Sequence, residues 1–364
     1  MKITRIHAAE LDAPLCRRWR ALQAANPALV NPYFSVEYTQ SVAAVRDDVF
    51  VGVIEADGEV QGFFPHQRKS AQVAGPVGGR LSDYQGVIAA DGFQFDAEAL
   101  VRACGLKIWD FDHLVAAQSS FEPYASVRDE SPIMAIGDGF QRYLEQRKAA
   151  GSQRLTQLQR KGRKFERELG ALRFEVHSRD PKAFAQVLQW KSEQCRRTGV
   201  PDFMTWGWTT AMLEQIWARD SAAFAGMLSV LWHEDDVVAA HFGMRSETVC
   251  HWWFPTYNDA YAKHSPGGIL LLRLAEAMAA AGLRHIDLGK GEDAYKPAFA
   301  TDAIPLLEGS VMLPSWATTL RRTRTGANAF LRESRLLHPA RATYRSLRDR
   351  LRRRDKSANV SATA

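Results

Sequence analysis

Two short stretches of this 364-residue chain hold residue types suited to chemistry, and one helix joins them. The first is His264-Ser265-Pro266-Gly267-Gly268. Serine caps helices, proline suits a first helical turn because it has no N–H to leave unpaired, and two glycines leave the neighbouring amides unshielded. Unpaired N–H groups at a helix start attract anions such as phosphate. The second stretch is DLGKGEDAYK, which crowds Asp287, Lys290, Glu292, Asp293, Tyr295 and Lys296 into one loop. That loop leaves a short apolar strand, Arg284 to Leu288, and charged loops on buried strands are frequent places for binding and catalysis. Gly282 is placed to end the intervening helix.

Other candidates lie further off. His241 sits mid-strand in AAHFG between small residues, and histidine titrates near neutral pH, so it is the first candidate for a general base. The alternative is a hydrogen-bonded core histidine. His251, followed by two tryptophans, reads as structural. Asp287 could orient an acceptor or hold a histidine, or serve only as a turn aspartate. Trp252, Trp253, Phe254, Tyr257 and Tyr261 alternate between strand faces, so part of the set fills a core. Trp253 and Tyr257 are the candidates for the wall of an acceptor cleft. Asp83 and Tyr84, in LSDYQG, could face the same cleft, or form a turn without a ligand. Arg160, Lys161, Arg163 and Lys164 make a basic run on a helix, either a solvated face or a phosphate contact. No nucleophile-elbow pattern occurs, so any group transfer is expected by direct attack of the acceptor. The four cysteines are far apart without metal-ligand spacing, so no disulfide framework and no metal is expected.

The elements that must position these residues are clearest in the second half. Pro181–Arg197 and Trp208–Arg219 read as amphipathic helices. Gly226–His233, Val237–Arg245 and Thr248–Phe254 read as a three-strand antiparallel meander with turns at Glu234-Asp235-Asp236 and Ser246-Glu247. The first half repeats the theme more weakly. Val49–Ala56 and Glu59–His66 flank an Asp57-Gly58 turn, and Ile108–Leu114 is a further strand. Phe140–Leu169 is helix-prone, with Gly151 and Gly162 as weak points.

Taken together, HWWFPTYNDAYAKHSPGG and DLGKGEDAYK resemble the FemAB-like branch of the GNAT acyltransferases, in particular the CelD-type proteins associated with cellulose and exopolysaccharide synthesis. The close match covers residues 227–300, and a looser one includes LSDYQG and RKGRKFERELG. The resemblance implies an α/β (α+β) fold of tandem GNAT-like domains, with mixed, mostly antiparallel sheets flanked by helices. Residues 1–145 would form a degenerate first domain, 146–315 a second domain holding the cofactor site, and 316–364 a basic helical tail. It also implies acyl-CoA as donor, either acetyl-CoA or longer, with its pyrophosphate at Ser265, Gly267 and Gly268. Tyr295 would protonate the departing thiolate, and Lys296 would bind an anionic acceptor or the cofactor phosphates. The acceptor would be a small molecule or glycan precursor carrying an amine. Two other readings keep the fold: an aminoacyl-tRNA-dependent FemAB-type transferase, and a non-catalytic exopolysaccharide-synthesis assembly factor.

Charge separates body from tail. Residues 316–364 carry thirteen Lys and Arg against three Asp and Glu, a net +10, while the whole chain is +6, which leaves −4 for residues 1–315. Arginines interleaved with leucines suit an anionic membrane surface or an envelope-biosynthesis complex. A solvated extension is the plain alternative, and nucleic acid ranks behind both. The N-terminus lacks the apolar core of a signal peptide, and no apolar run approaches the roughly 20 residues that span a bilayer. A cytoplasmic protein, peripheral at the inner face of the membrane if the tail binds there, is the expectation.

Overall fold

The computed structural model describes residues 1–314 apart from Glu292. In chain order the first half holds β1 (Lys2–His7), α1 (Ala13–Ala24), α2 (Val36–Ala43), β2 (Val49–Ala56), β3 (Glu59–Arg68), β4 (Val73–Gly75), β5 (Ile88–Ala89), α3 (Ala97–Ala103), β6 (Ile108–Val115) and β7 (Ala125–Ala135). The second half holds α4 (Phe140–Ala149), α5 (Arg154–Glu168), β8 (Leu172–Glu175), α6 (Pro181–Thr198), α7 (Thr209–Trp217), β9 (Ala225–His233), β10 (Asp236–Arg245), β11 (Val249–Tyr257), α8 (Pro266–Ala280), β12 (His285–Asp287), α9 (Lys296–Phe299) and β13 (Asp302–Met312). The division at 145/146 drawn from the sequence falls within α4, and the basic tail lies outside the described residues.

Local chemistry explains the joints. Asp57 and Gly58 both take positive φ, as a two-residue hairpin turn of the primed type requires. Gly151, at φ +82, separates α4 from α5. Gly243 sits where β11 bulges. The β10–β11 register jumps between Phe242 and Met244, and a Cβ at Gly243 would lie 2.2 Å from the His251 carbonyl oxygen.

The strands form one sheet in the order β1-β2-β3-β4-β6-β13-β7-β12-β11-β10-β9-β8, with β5 attached to β3. The order is palindromic. Each half contributes four strands, a helix and a parallel fifth strand, and then sends its last strand into the other half. Thus β7 pairs with β12 of the second half, while β13 lies beside β6 of the first, and the two exchanged strands pair antiparallel at the centre. Alternating side chains load both faces. From β9, Leu228 and Val230 join a core with Trp19 of α1, Tyr38 of α2, Phe184 of α6 and Met212 of α7. Met227 and Leu231 join another with Tyr143 of α4, Leu155 of α5 and Leu270 of α8.

Parallel pairs in both halves diverge early. β11 and β12 are in register only from Val249–His285 to His251–Asp287, after which β11 continues alone. β4 and β6 pair only at Val73–Ile108 and Ala74–Trp109. In the first half this opening is filled by the chain's own segment 76–87, which returns to bridge Gln85 to Leu114 and leaves about 20 Å³. In the second half the opening persists. Among the described residues, no helix is long and apolar enough to cross a membrane.

Candidate functional site

Where β11 outruns β12, a chamber of about 290 Å³ opens, near the low end of small-molecule sites at about 300 Å³. Trp252, Thr256 and Tyr257 of β11 form one wall; Ser265, Gly267 and Gly268 at the start of α8 form another; Tyr295 and Phe299 close it. Arg154, the first residue of α5, also lines it, so a cation faces the start of α8. A second groove of about 230 Å³ adjoins it through Gln194, Pro255, Thr256 and Tyr257. Trp190, Glu193 and Arg197, one stripe of α6 at helical spacing, supply its other side.

One residue before Trp252 stands a cluster of buried charge. His251 is wholly buried and lies between two carboxylates from different halves of the chain. Its Nε2 is 2.9 Å from Asp83 Oδ2, and its Nδ1 is 3.4 Å from Asp287 Oδ1. Asp287 is itself wholly buried and heavily solvated by protein. Ser131 Oγ (2.7 Å) and the Gly289 amide (2.8 Å) donate to Oδ1, while Tyr84 Oη and Asn31 Nδ2 (3.4 Å) donate to Oδ2. Burial alone would raise its pKa, but the His251 charge and these donors hold it down to about 2. Burial likewise opposes protonation of His251, and the contacts and charges of Asp287 and Asp83 overcome it, lifting its pKa to about 9. Asp83 is the outlet of this array, for its side chain keeps 24% of its exposure.

The other expected site residues distribute unevenly. His241 is fully buried and lines neither chamber nor groove. Its Nε2 accepts the Trp253 amide at 3.1 Å, the N–H released by the β11 bulge, and its ring stacks on Trp252 at 4.2 Å. Burial depresses its pKa to about 3, so the ring is neutral at ordinary pH. Lys296 is enclosed too. Its ammonium donates to the carbonyls of Gly289 (2.9 Å), Lys290 (3.1 Å) and Gly291 (3.4 Å) and pairs with Asp293 at 2.9 Å. Those contacts staple the 288–295 loop and leave no donor for an external anion. Trp253 packs in the core against Phe254 and Tyr33, and its neighbour Trp252 reaches the chamber instead. Tyr84 touches Asp287 from below. Tyr295, the candidate acid, and Tyr257, a candidate wall residue, both line the chamber, and burial raises the Tyr295 hydroxyl pKa, keeping it protonated.

The helix start differs from its sequence reading in two ways. Ser265 makes no side-chain cap on α8; it takes left-handed φ 56, ψ 54, because the chain reverses from a 3₁₀ turn at 259–264 straight into the helix. Its hydroxyl accepts from Lys161 Nζ of α5 at 2.7 Å, so one member of the basic run turns inward to the helix start. Gly268 is small for packing, since a Cβ there would lie 2.7 Å from Leu158 Cδ2 of α5. Gly267 has only ordinary contact, 3.6 Å from Tyr257 Cδ1, and is the open glycine. Asn31 and Ser131 carried no local signal, because their partner Asp287 lies far along the chain.

This architecture is GNAT-like, a tandem of α/β units built on one mostly antiparallel sheet flanked by helices. Residues 152–297 match the family model described as an acetyltransferase (GNAT) domain, the segment that carries the groove, the loop and all of the chamber but Phe299. Among solved structures, FemX aligns at TM-score 0.56 and 8% identity over 85% of this chain and 96% of its own. L-PGS from Bacillus licheniformis aligns at TM-score 0.52 and 14% identity over 84% and 94%. A conserved protein of unknown function from Bacteroides thetaiotaomicron aligns at 0.51 and 9% over 82% and 97%. At these identities the likeness is one of fold. No curated protein sequence matches the chain.

Proposed function

We propose that the protein is an acyltransferase that holds an acyl carrier in the chamber and passes the acyl group to an amine by direct attack. The carrier is read as acyl-CoA, acetyl or longer, and the acceptor as an amino sugar or another envelope-polysaccharide precursor. The observation that carries this reading is the persistent opening between β11 and β12, bounded by the start of α8. Arg154 and the Lys161–Ser265 pair bring two cations to that end, suited to a pyrophosphate. Tyr295 is the candidate acid for the leaving thiolate, and the adjoining groove along α6 is the candidate entry for the acceptor. The basic tail is the candidate contact with an anionic membrane surface or an envelope complex.

A second donor has its own support. FemX and L-PGS share this fold across nearly their whole lengths, and the FemAB-like resemblance of the sequence implies an aminoacyl-tRNA donor. An aminoacyl ester would present the same carbonyl to the same attack.

The test is calorimetric titration of the full chain with acetyl-CoA and a longer acyl-CoA, beside a Gly267→Asp variant. Binding that the variant loses supports the acyl-CoA donor. No binding of either by folded protein removes it and leaves alanyl-tRNA, with ribonuclease sensitivity, as the next donor to assay.

A further inference from the structure

The array Asp83–His251–Asp287 has features of a working site. Burying one imidazolium against two carboxylates is costly unless every partner is in place, and perturbed buried ions concentrate at functional centres. Here the His251 Nδ1 stands 3.4 Å from Asp287 Oδ1 as an ion pair without a hydrogen bond, and the two carboxylates differ in how they are satisfied. Asp287 spends its four acceptor positions inside the protein, whereas Asp83 accepts from His251 through Oδ2 and turns a partly exposed edge outward. Asp83 comes from segment 76–87, the same segment that fills the first half's own opening. The first half thus closes its equivalent of the chamber and delivers a carboxylate to the second.

Building on the acyl-transfer reading above, we infer that Asp83 takes the proton from the attacking amine and that His251 is the positioning residue that holds it there. The nitrogen lone pair forms the C–N bond at the acyl carbonyl, and the carbonyl's bond to the carrier sulfur or oxygen breaks. The nitrogen's proton passes to the Asp83 carboxylate, and the leaving atom takes a proton from the Tyr295 hydroxyl. Both groups then re-equilibrate with water, Asp83 through its exposed edge.

Location supports this assignment. A Cβ on Gly289, in the loop leading to Tyr295, would lie 3.6 Å from Asp83 Oδ2. Lys191 of α6 feels the Asp83 charge and donates to Gln194 Oε1 at 3.0 Å, and Gln194 lines both chamber and groove. Asp83 lines neither cavity itself; Lys191 connects it to Gln194, the residue of α6 that both cavities share with β11. The groups facing His251 are Asp83 from its loop, Asp287 from β12, Tyr33 and Tyr84 by their ring edges, and neutral His241 and His285 from β10 and β12. Asp83 is faced additionally by His113 at 3.9 Å.

The experiment uses the full chain with acetyl-CoA or alanyl-tRNA as donor and glucosamine with a set of simple primary amines as acceptors. Donor affinity is measured by titration and transfer by single turnover. Asp83→Asn is expected to bind donor as the native protein does and to lose about 10²–10⁴-fold in transfer. Asp83→Ala should recover part of the rate with added formate. His251→Gln should keep donor binding, lose about tenfold in transfer, and abolish the alkaline limb near pH 9 expected of the native protein. Undiminished transfer by Asp83→Asn overturns the inference alone. Equal loss of donor binding and transfer, with no rescue by formate, makes the array structural and also overturns it. Native protein that binds donor but acylates no amine overturns the inference together with the amine reading, and failure to bind either donor overturns the transferase reading itself.

Discussion

Tyr84 and Asp287 stand 203 residues apart in the chain and share one hydrogen bond in the floor of the site. The bond ties the loop that fills the first half's opening to the strand that borders the second half's chamber. Loss of the hydroxyl in Tyr84→Phe removes a donor to a buried charge, and such bonds contribute about 1.5–3 kcal/mol. Chemical denaturation should show that loss as a lower midpoint with an unchanged slope.

The same array sets the pH range of stability. Asp287 has a folded pKa near 2, below its ordinary value, so its contribution is present above about 3.8 and is lost as pH falls through 2. His251 has a folded pKa near 9, above its ordinary value, so its contribution is full below about 6.5 and is lost as pH rises through 9. Urea midpoints measured from pH 3 to 10 should fall at both ends. His251→Gln should flatten the alkaline fall, and a native alkaline fall that persists in this variant would assign it elsewhere.

His241 holds a bulge amide, and its value is structural. His241→Ala leaves the Trp253 N–H unsatisfied in the sheet, which costs about 1–3 kcal/mol before any cavity term. Transfer per folded molecule should stay within a few-fold of native, and a hundredfold loss with native stability would restore a catalytic role.

The two glycines of α8 should respond oppositely. Gly267→Asp adds an acid to a first helical turn, where the helix dipole favours it, so melting temperature should hold or rise while anionic donor affinity falls at least tenfold. Gly268→Ala forces a Cβ against the buried Leu158, and overpacking of this kind costs about 1–3 kcal/mol. Calorimetry and thermal melts on the two variants separate the effects.

Lys296→Met should loosen the loop after β12. Three carbonyls and Asp293 lose their shared ammonium, so stability falls by several kcal/mol at most and cleavage of the 288–295 segment by trypsin or thermolysin accelerates. Unchanged proteolysis would mean that the loop is held by other contacts.

Much of the second half is legible in the residues. Its meander announces itself through alternating apolar runs and a tight acidic turn, and the observed strands Ala225–His233, Asp236–Arg245 and Val249–Tyr257 lie within a few residues of the expected ones. The Asp57-Gly58 hairpin and the Gly151 break are legible for the same reason, local backbone chemistry. β7 is harder. Ser126 to Glu130 are exposed, so the strand shows no apolar alternation although it lies at the centre of the sheet. The site is harder still, since His251 meets Asp83 across 168 residues and Asp287 meets Ser131 across 156. The left-handed Ser265 shows the same limit, because the reversal that demands it comes from the turn before and Lys161 of another helix.

The exchange of β7 and β13 also has a consequence for synthesis on the ribosome. β6 emerges early and waits with an open edge for a strand translated almost two hundred residues later. Unpaired edges are templates for wrong partners, so the nascent first half depends on rapid completion of the second or on protection until then. The same interleaving binds the halves as inheritance. A gene cut between them would encode two chains that complete their sheets only by finding each other.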